Sequence, residues 1–139
     1  MFRKIIVTGL LAGLVMLAVS VGLSFLSNLA LPGLMAEYGN TGLYRPWDDP
    51  LMSIYFAYPF VMGLALAWFW NRIQNAFSGK SAWGRGLRYG FAYWIIATIP
   101  GMVITYSSFV VSLPMVVTWS VFGLIGALAG GLVCAGMNR

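Results

Sequence analysis

The run YGFAYWIIATIPGMVITYSSFVVSLPMVVTWSVFGLIGALAGGLVCAGMN, Tyr89 to Asn138, contains no Asp, Glu, Lys or Arg. As one continuous helix it would measure about 75 Å at 1.5 Å per residue, more than twice the roughly 30 Å hydrocarbon core of a bilayer. It must therefore turn once. The turn is predicted in YSSFVVSLP, Tyr106 to Pro114, where serines cluster. Pro114 suits the first turn of a new helix, because the N–H it lacks would have no helical partner there. Two membrane-crossing helices, about 87–106 and 113–136, follow from this stretch.

The same fencing by charges works outward through the chain. After Lys4 no charge occurs until Glu37, and none occurs between Pro50 and Asn71. Each run holds the roughly 20 apolar residues that a helical crossing needs, which predicts helices at about 5–27 and 50–71. The expected fold is all-α: a four-helix transmembrane bundle formed by a single domain, 1–139. Of the 139 residues 60% are hydrophobic and 8% charged, and the mean hydropathy is +0.85. Such a chain lacks the charged exterior of a soluble domain. A cleaved signal peptide is the rival reading of MFRK and the apolar run behind it. That run is longer than a usual signal core, and cleavage would leave an odd number of crossings, so retention is expected.

Basic residues orient the bundle. With four crossings, Arg3, Lys4, Arg72, Lys80, Arg85, Arg88 and Arg139 share one side, and Arg45 alone lies on the other beside Glu37, Asp48 and Asp49. This asymmetry is the positive-inside pattern. It predicts both termini inside a bacterial or archaeal cytoplasmic membrane, an extracytoplasmic loop 28–49 and a cytoplasmic loop 72–86. The net charge of +5 then points to anionic headgroups at Arg72, Lys80, Arg85 and Arg88, at about 1 kcal/mol each, and not to nucleic acid. Tyr44, Trp47, Trp68, Trp70 and Trp83 fall near the predicted interfaces, where amphipathic rings prefer to sit.

Missing residue types exclude several chemistries. There is no histidine and only one cysteine, Cys134. Imidazole haem ligation, His-type zinc sites, a His-based triad, an internal disulfide and CxxC thiol exchange are thereby removed. No crossing holds a charge in its middle, which argues against proton-coupled and ion-coupled transport. GKS at 79–81 lacks the upstream glycine of a phosphate loop, since Gln74 occupies that position. GLSFL at 22–26 lacks the second glycine of a nucleophile elbow.

Three groups of residues remain as candidates. The first is the loop segment YRPWDDPL. Asp49 before Pro50 reads as a helix-start pair, with Asp48 favoured at the positive end of the helix dipole and Arg45 within reach of either acid. The same segment, with Tyr44, Arg45, Trp47, Asp48 and Asp49, carries residue types that dominate docking surfaces. The three acids match no recognised cation loop, and no metal is assigned to them. The second group is small residues at helical spacing. Gly9 and Gly13 (GLLAG) and Gly126 and Gly130 (GALAG) form GxxxG pairs suited to close helix packing, within the chain or between copies. The third comprises Tyr55, Tyr58, Tyr93, Trp94 and Thr98, polar groups at membrane depth beside Pro59 and Pro100. They can line a site for a flat apolar ligand, or fill the core with hydroxyls bonded to carbonyls that the prolines free.

The primary functional expectation is a small membrane protein without catalytic machinery or cofactor. It would act by helix packing, as a homo-oligomer or as an accessory or assembly subunit of a larger membrane complex. The alternative is an intramembrane binder or passive carrier of an apolar small molecule, lipid or quinone, between the second and third helices.

Overall fold

Uncharged sequence becomes helix almost throughout. The structure is a computed structural model and describes residues 2–40, 42–77, 79 and 81–137. Helix α1 is Phe2–Ala30, and the short α2 is Pro32–Met35, followed by a 3-10 turn at Ala36–Gly39. A 3-10 turn at Pro50–Met52 leads into α3, Ser53–Ile73, which ends in another at Gln74–Ala76. The third crossing is composite: α4, Ala82–Tyr93, a π-helical turn at Trp94–Thr98, then α5, Ile99–Ser108. Helix α6 is Leu113–Met137. Among the described residues, four helical stretches, 2–30, 50–76, 82–108 and 113–137, are long and apolar enough to cross a membrane. The protein is an all-α integral membrane protein, a four-helix bundle as the charge-free runs predict.

Four boundaries differ from the sequence reading. Helix α1 starts at Phe2 and continues to Ala30, so Arg3 and Lys4 lie on the helix rather than before it. The third crossing starts at Ala82, not near 87, and the second continues in helical form to Ala76. The predicted connection 72–86 therefore shrinks to a few residues around Gly79, which takes φ +146°, a left-handed value that glycine tolerates readily. Arg85, inside the predicted connection, lies on α4, as does Arg88. Long basic side chains can stay on a helix and extend toward the headgroups. Arg72, in the last turn of α3, places its guanidinium 4.0 Å from the centre of the Trp68 ring. Lys80, a predicted headgroup contact, and Arg139 lie outside the described residues.

Glycine sets the helix pairing. A Cβ on Gly9 would lie 2.7 Å from the Leu64 Cα, and one on Gly13 would lie 2.7 Å from the Phe60 Cα, while Gly63 faces the backbones of Gly9 and Gly13. This register makes α1 and α3 antiparallel at backbone contact. Lipid supplies no hydrophobic drive between helices, so the gain comes from van der Waals approach. Helices α4 and α6 repeat the device. Gly86 faces the Gly131 carbonyl, and Gly90 faces the Ala127 carbonyl and Leu128. Contact between α1 and α6 joins the two pairs, with Gly130 against the side chains of Met16 and Leu66.

The core sits toward the end that carries residues 2 and 137. Trp70, Tyr89 and Cys134 are fully buried there or nearly so. The rings of Trp70 and Tyr89 lie 5.0 Å apart, with Phe77 5.9 Å and 5.6 Å from them. The opposite end carries the acidic loop. In that half α3 and α5 make at most marginal contact with each other.

Candidate functional site

Where α3 and α5 fail to meet, a cavity of about 820 Å³ opens. Its walls are Met16, Leu17, Ser20, Val21 and Ser24 of α1, Phe56, Tyr58 and Pro59 of α3, Ala97, Thr98 and Met102 of the third crossing, and Phe122, Gly123 and Gly126 of α6. The packing explains its position. Glycine contacts hold α1 to α3 and α4 to α6, which leaves α5 and the half of α3 nearest the acidic loop apart. From Met16 to Asn28 the cavity follows α1 for roughly 18 Å at 1.5 Å per residue, close to half the bilayer core. At its floor the Tyr93 hydroxyl donates to the Met62 sulfur at 3.7 Å.

The loop between α1 and α3 roofs the cavity. Ser112, just before α6, donates to a Glu37 carboxylate oxygen at 2.6 Å. The Trp119 indole N–H donates to the Tyr38 hydroxyl oxygen at 2.6 Å. Tyr38, Tyr44 and Trp119 form an aromatic cluster with ring centres 5.1 to 6.4 Å apart. Burial raises the pKa of the Tyr38 and Tyr44 hydroxyls above the ordinary phenol value, although the Trp119 hydrogen bond opposes this at Tyr38. Both therefore keep their protons. The Tyr44 hydroxyl oxygen is buried and has no hydrogen-bond partner among the described residues.

The predicted ligand residues divide. Tyr55, Tyr58, Tyr93 and Thr98 all line the cavity. Trp94 is not in the cavity wall: its indole N–H donates to the Ser120 carbonyl at 2.8 Å, which commits its polar edge to α6. The Thr98 methyl lies 2.8 Å from where a Cβ on Gly123 would stand. The tyrosine that bonds a helix carbonyl is Tyr89, whose O–H donates to the Leu66 oxygen at 2.7 Å.

The loop residues divide in the same way. Tyr44, Arg45 and Trp47 line the cavity, and Asp48 and Asp49 do not. Trp47 packs edge-on against Tyr55 at 5.8 Å. Arg45 pairs with the Asp49 carboxylate at 2.9 Å, and the other Asp49 oxygen accepts the Leu51 N–H at 2.8 Å. The Leu51 N–H foremost, then Arg45, hold the Asp49 carboxyl below the usual carboxylate value. Among the described residues no three His, Cys, Asp or Glu side chains come together. Of the four glycines singled out for packing, Gly9, Gly13 and Gly130 meet other helices, but a Cβ on Gly126 would meet nothing within 4 Å. Gly126 belongs to the cavity wall.

Sequence reasoning missed Asn28, Tyr38 and Trp119 in the lining and the Glu37–Ser112 tie. The tied residues are 75 and 81 positions apart, and no local pattern announces such pairs. It also missed Gly86 and Gly90. GLRYG is a GxxxG match, hidden because two arginines made the region read as a connection.

No family model matches the chain, and comparison with curated proteins and with solved structures finds no match.

Proposed function

We propose that this protein is a non-catalytic membrane protein that binds an amphiphile of the bilayer in the cavity between α1, α3, α5 and α6. The observation that carries this reading is the cavity itself. Its volume of about 820 Å³ falls within the roughly 300–1,000 Å³ of ligand clefts, and its few polar groups converge among apolar walls as they do in such sites. The gap between α3 and α5 gives lateral access to a molecule already dissolved in the membrane. Association between copies or with a larger complex draws less support, because Gly9, Gly13 and Gly130 are spent on contacts within the chain. Charge asymmetry supports a cytoplasmic membrane location with the basic end inside. Impermeant labelling of Asp48→Cys and Trp83→Cys in a Cys134→Ala background tests that orientation; reaction of both from one side of sealed vesicles overturns it.

The binding test uses Gly126→Leu, which fills the cavity where a Cβ meets no atom, alone and with Ser20→Leu. The protein is purified in mild detergent, and the amphiphiles that accompany it are extracted and weighed by mass spectrometry. The wild type should retain at least one species that the filled variants lose, with melting of the delipidated protein unchanged or raised. Identical lipid complements in all three proteins would sink the reading.

A further inference from the structure

Resting on that reading, we propose further that the bound amphiphile is an anionic phospholipid of the leaflet next to the 28–49 loop. Its phosphate is held by Arg45, Tyr44 and Tyr38, and one acyl chain lies between α3 and α5.

The polar end of the cavity is built of donors. Among the described residues, Arg45 is the one charged residue in the lining, and no Asp or Glu is part of it. A guanidinium carries five N–H donors, and the contact with Asp49 runs through one of its terminal nitrogens. The Tyr44 O–H is buried with no acceptor among the described residues. Tyr38 uses its oxygen to accept from Trp119, which leaves its proton to donate. The carboxylates near the roof are turned to other work. Glu37 accepts from Ser112, Asp49 caps Leu51 and pairs with Arg45, and Asp48 lies outside the lining. Arg45, Tyr44 and Tyr38 place their donors in the lining of one end of the cavity, and charge-assisted bonds to phosphate are the strong ones.

Depth points to a lipid rather than to free phosphate. Below the donors the walls are Leu17, Val21, Phe56, Met102 and Phe122, which offer nothing to a small ion. The roughly 18 Å length along α1 compares with about 15 Å for half of the 30 Å core. A lipid with its phosphate at the interface would bring its chain to the Tyr93–Met62 floor.

The test uses nanodiscs of equal phosphatidylglycerol and phosphatidylcholine doped with oleate, followed by exchange into detergent and mass spectrometry of retained lipid. The cavity-bound fraction is defined as what wild type holds and Gly126→Leu does not, which removes lipid adhering to the basic end. That fraction should be phosphatidylglycerol in at least about fivefold excess. Arg45→Gln should lower it about tenfold and Tyr44→Phe about threefold, as expected for lost bonds to a charged group. Tyr44→Phe keeps the ring packing and so reads the donor if the arginine variant fails to fold. Equal retention of both phospholipids, enrichment of oleate, or a phosphatidylglycerol excess that survives Arg45→Gln overturns the headgroup assignment and leaves amphiphile binding intact. No lipid difference between wild type and Gly126→Leu overturns the cavity reading itself.

Discussion

The Tyr89 hydroxyl reaches from α4 to the Leu66 carbonyl of α3 at 2.7 Å, between two residues that are almost wholly buried. This bond crosses the bundle on the basic side of the cavity floor and joins the two glycine-packed helix pairs. Removing the hydroxyl alone in Tyr89→Phe should lower stability by about 0.6–1.5 kcal/mol, the range for interhelical side-chain bonds in membranes and for protein hydrogen bonds generally. Tyr89→Ala also removes the ring that packs on Trp70 and Phe77 and should cost about 3–5 kcal/mol. Unfolding of the purified protein in mixed micelles, followed by circular dichroism, checks both values and their order.

Two glycines of the same bundle should respond in opposite senses to one methyl group. At Gly90 the methyl meets the backbone of Ala127 and Leu128. Neither can yield without parting α4 from α6, so Gly90→Ala should destabilise by about 1–3 kcal/mol. At Gly126 the methyl meets nothing. Gly126→Ala should be neutral or stabilising by up to about 1 kcal/mol, because alanine is the better helix former. Paired thermal melts in one detergent decide this, and a Gly126→Ala loss as large as that of Gly90→Ala contradicts the packing described.

The roof should loosen independently of the bundle. Ser112→Ala removes the donor to Glu37, and Trp119→Phe removes the donor to Tyr38. Each should raise amide exchange in residues 34–39 by about tenfold, which is the effect of losing one bond of roughly 1.4 kcal/mol. Exchange in α1 and α6 should stay at the wild-type rate. Hydrogen–deuterium exchange with mass spectrometry reads both regions in one sample.

Acid should open the same loop at its other anchor. The folded-state pKa of Asp49 is depressed by the Leu51 N–H and by Arg45. Its contribution is therefore fully present above the unfolded carboxylate value and is lost as pH falls through the lower folded value. Trp47 packs on Tyr55 beside this cap, so its fluorescence should shift only below the ordinary carboxylate value of 3.8. Asp49→Asn should show the acid-side spectrum already at neutral pH and lack the transition.

The crossings were legible because charge is expensive in lipid, so fences of Arg, Lys, Asp and Glu mark where helices emerge. The same logic misplaced the start of the third crossing, since Arg85 rides on α4 instead of preceding it. Asp49 and Pro50 declared the start of α3 through local capping chemistry, and the structure places the Asp49 oxygen on the Leu51 N–H. The cavity was only half legible. Tyr58, Tyr93 and Thr98 drew notice as polar groups at membrane depth, but nothing local tells which side of a helix faces a gap. Trp94 faces α6 instead of the gap, and Tyr38 and Trp119 were invisible because their partnership spans most of the chain.

The π-helical turn at Trp94–Thr98 has a mechanical consequence. Pro100 has no N–H to donate, and the Ile99 N–H reaches back five residues to the Trp94 carbonyl. The turn thereby accommodates one residue more than a regular helix would. Each residue advances an α-helix by about 100°, so an extra residue in a regular helix would turn everything beyond it, and the wide turn absorbs that rotation instead. Deleting one residue from 94–97 would restore a regular helix and leave both the Gly86 and Gly90 contacts and the Thr98 and Met102 wall in place. Deleting two would rotate α5 by about 100° and swing Thr98 and Met102 away from the wall. The turn is thus one residue of slack held between a lower half fixed by glycine contacts and an upper half that faces the cavity.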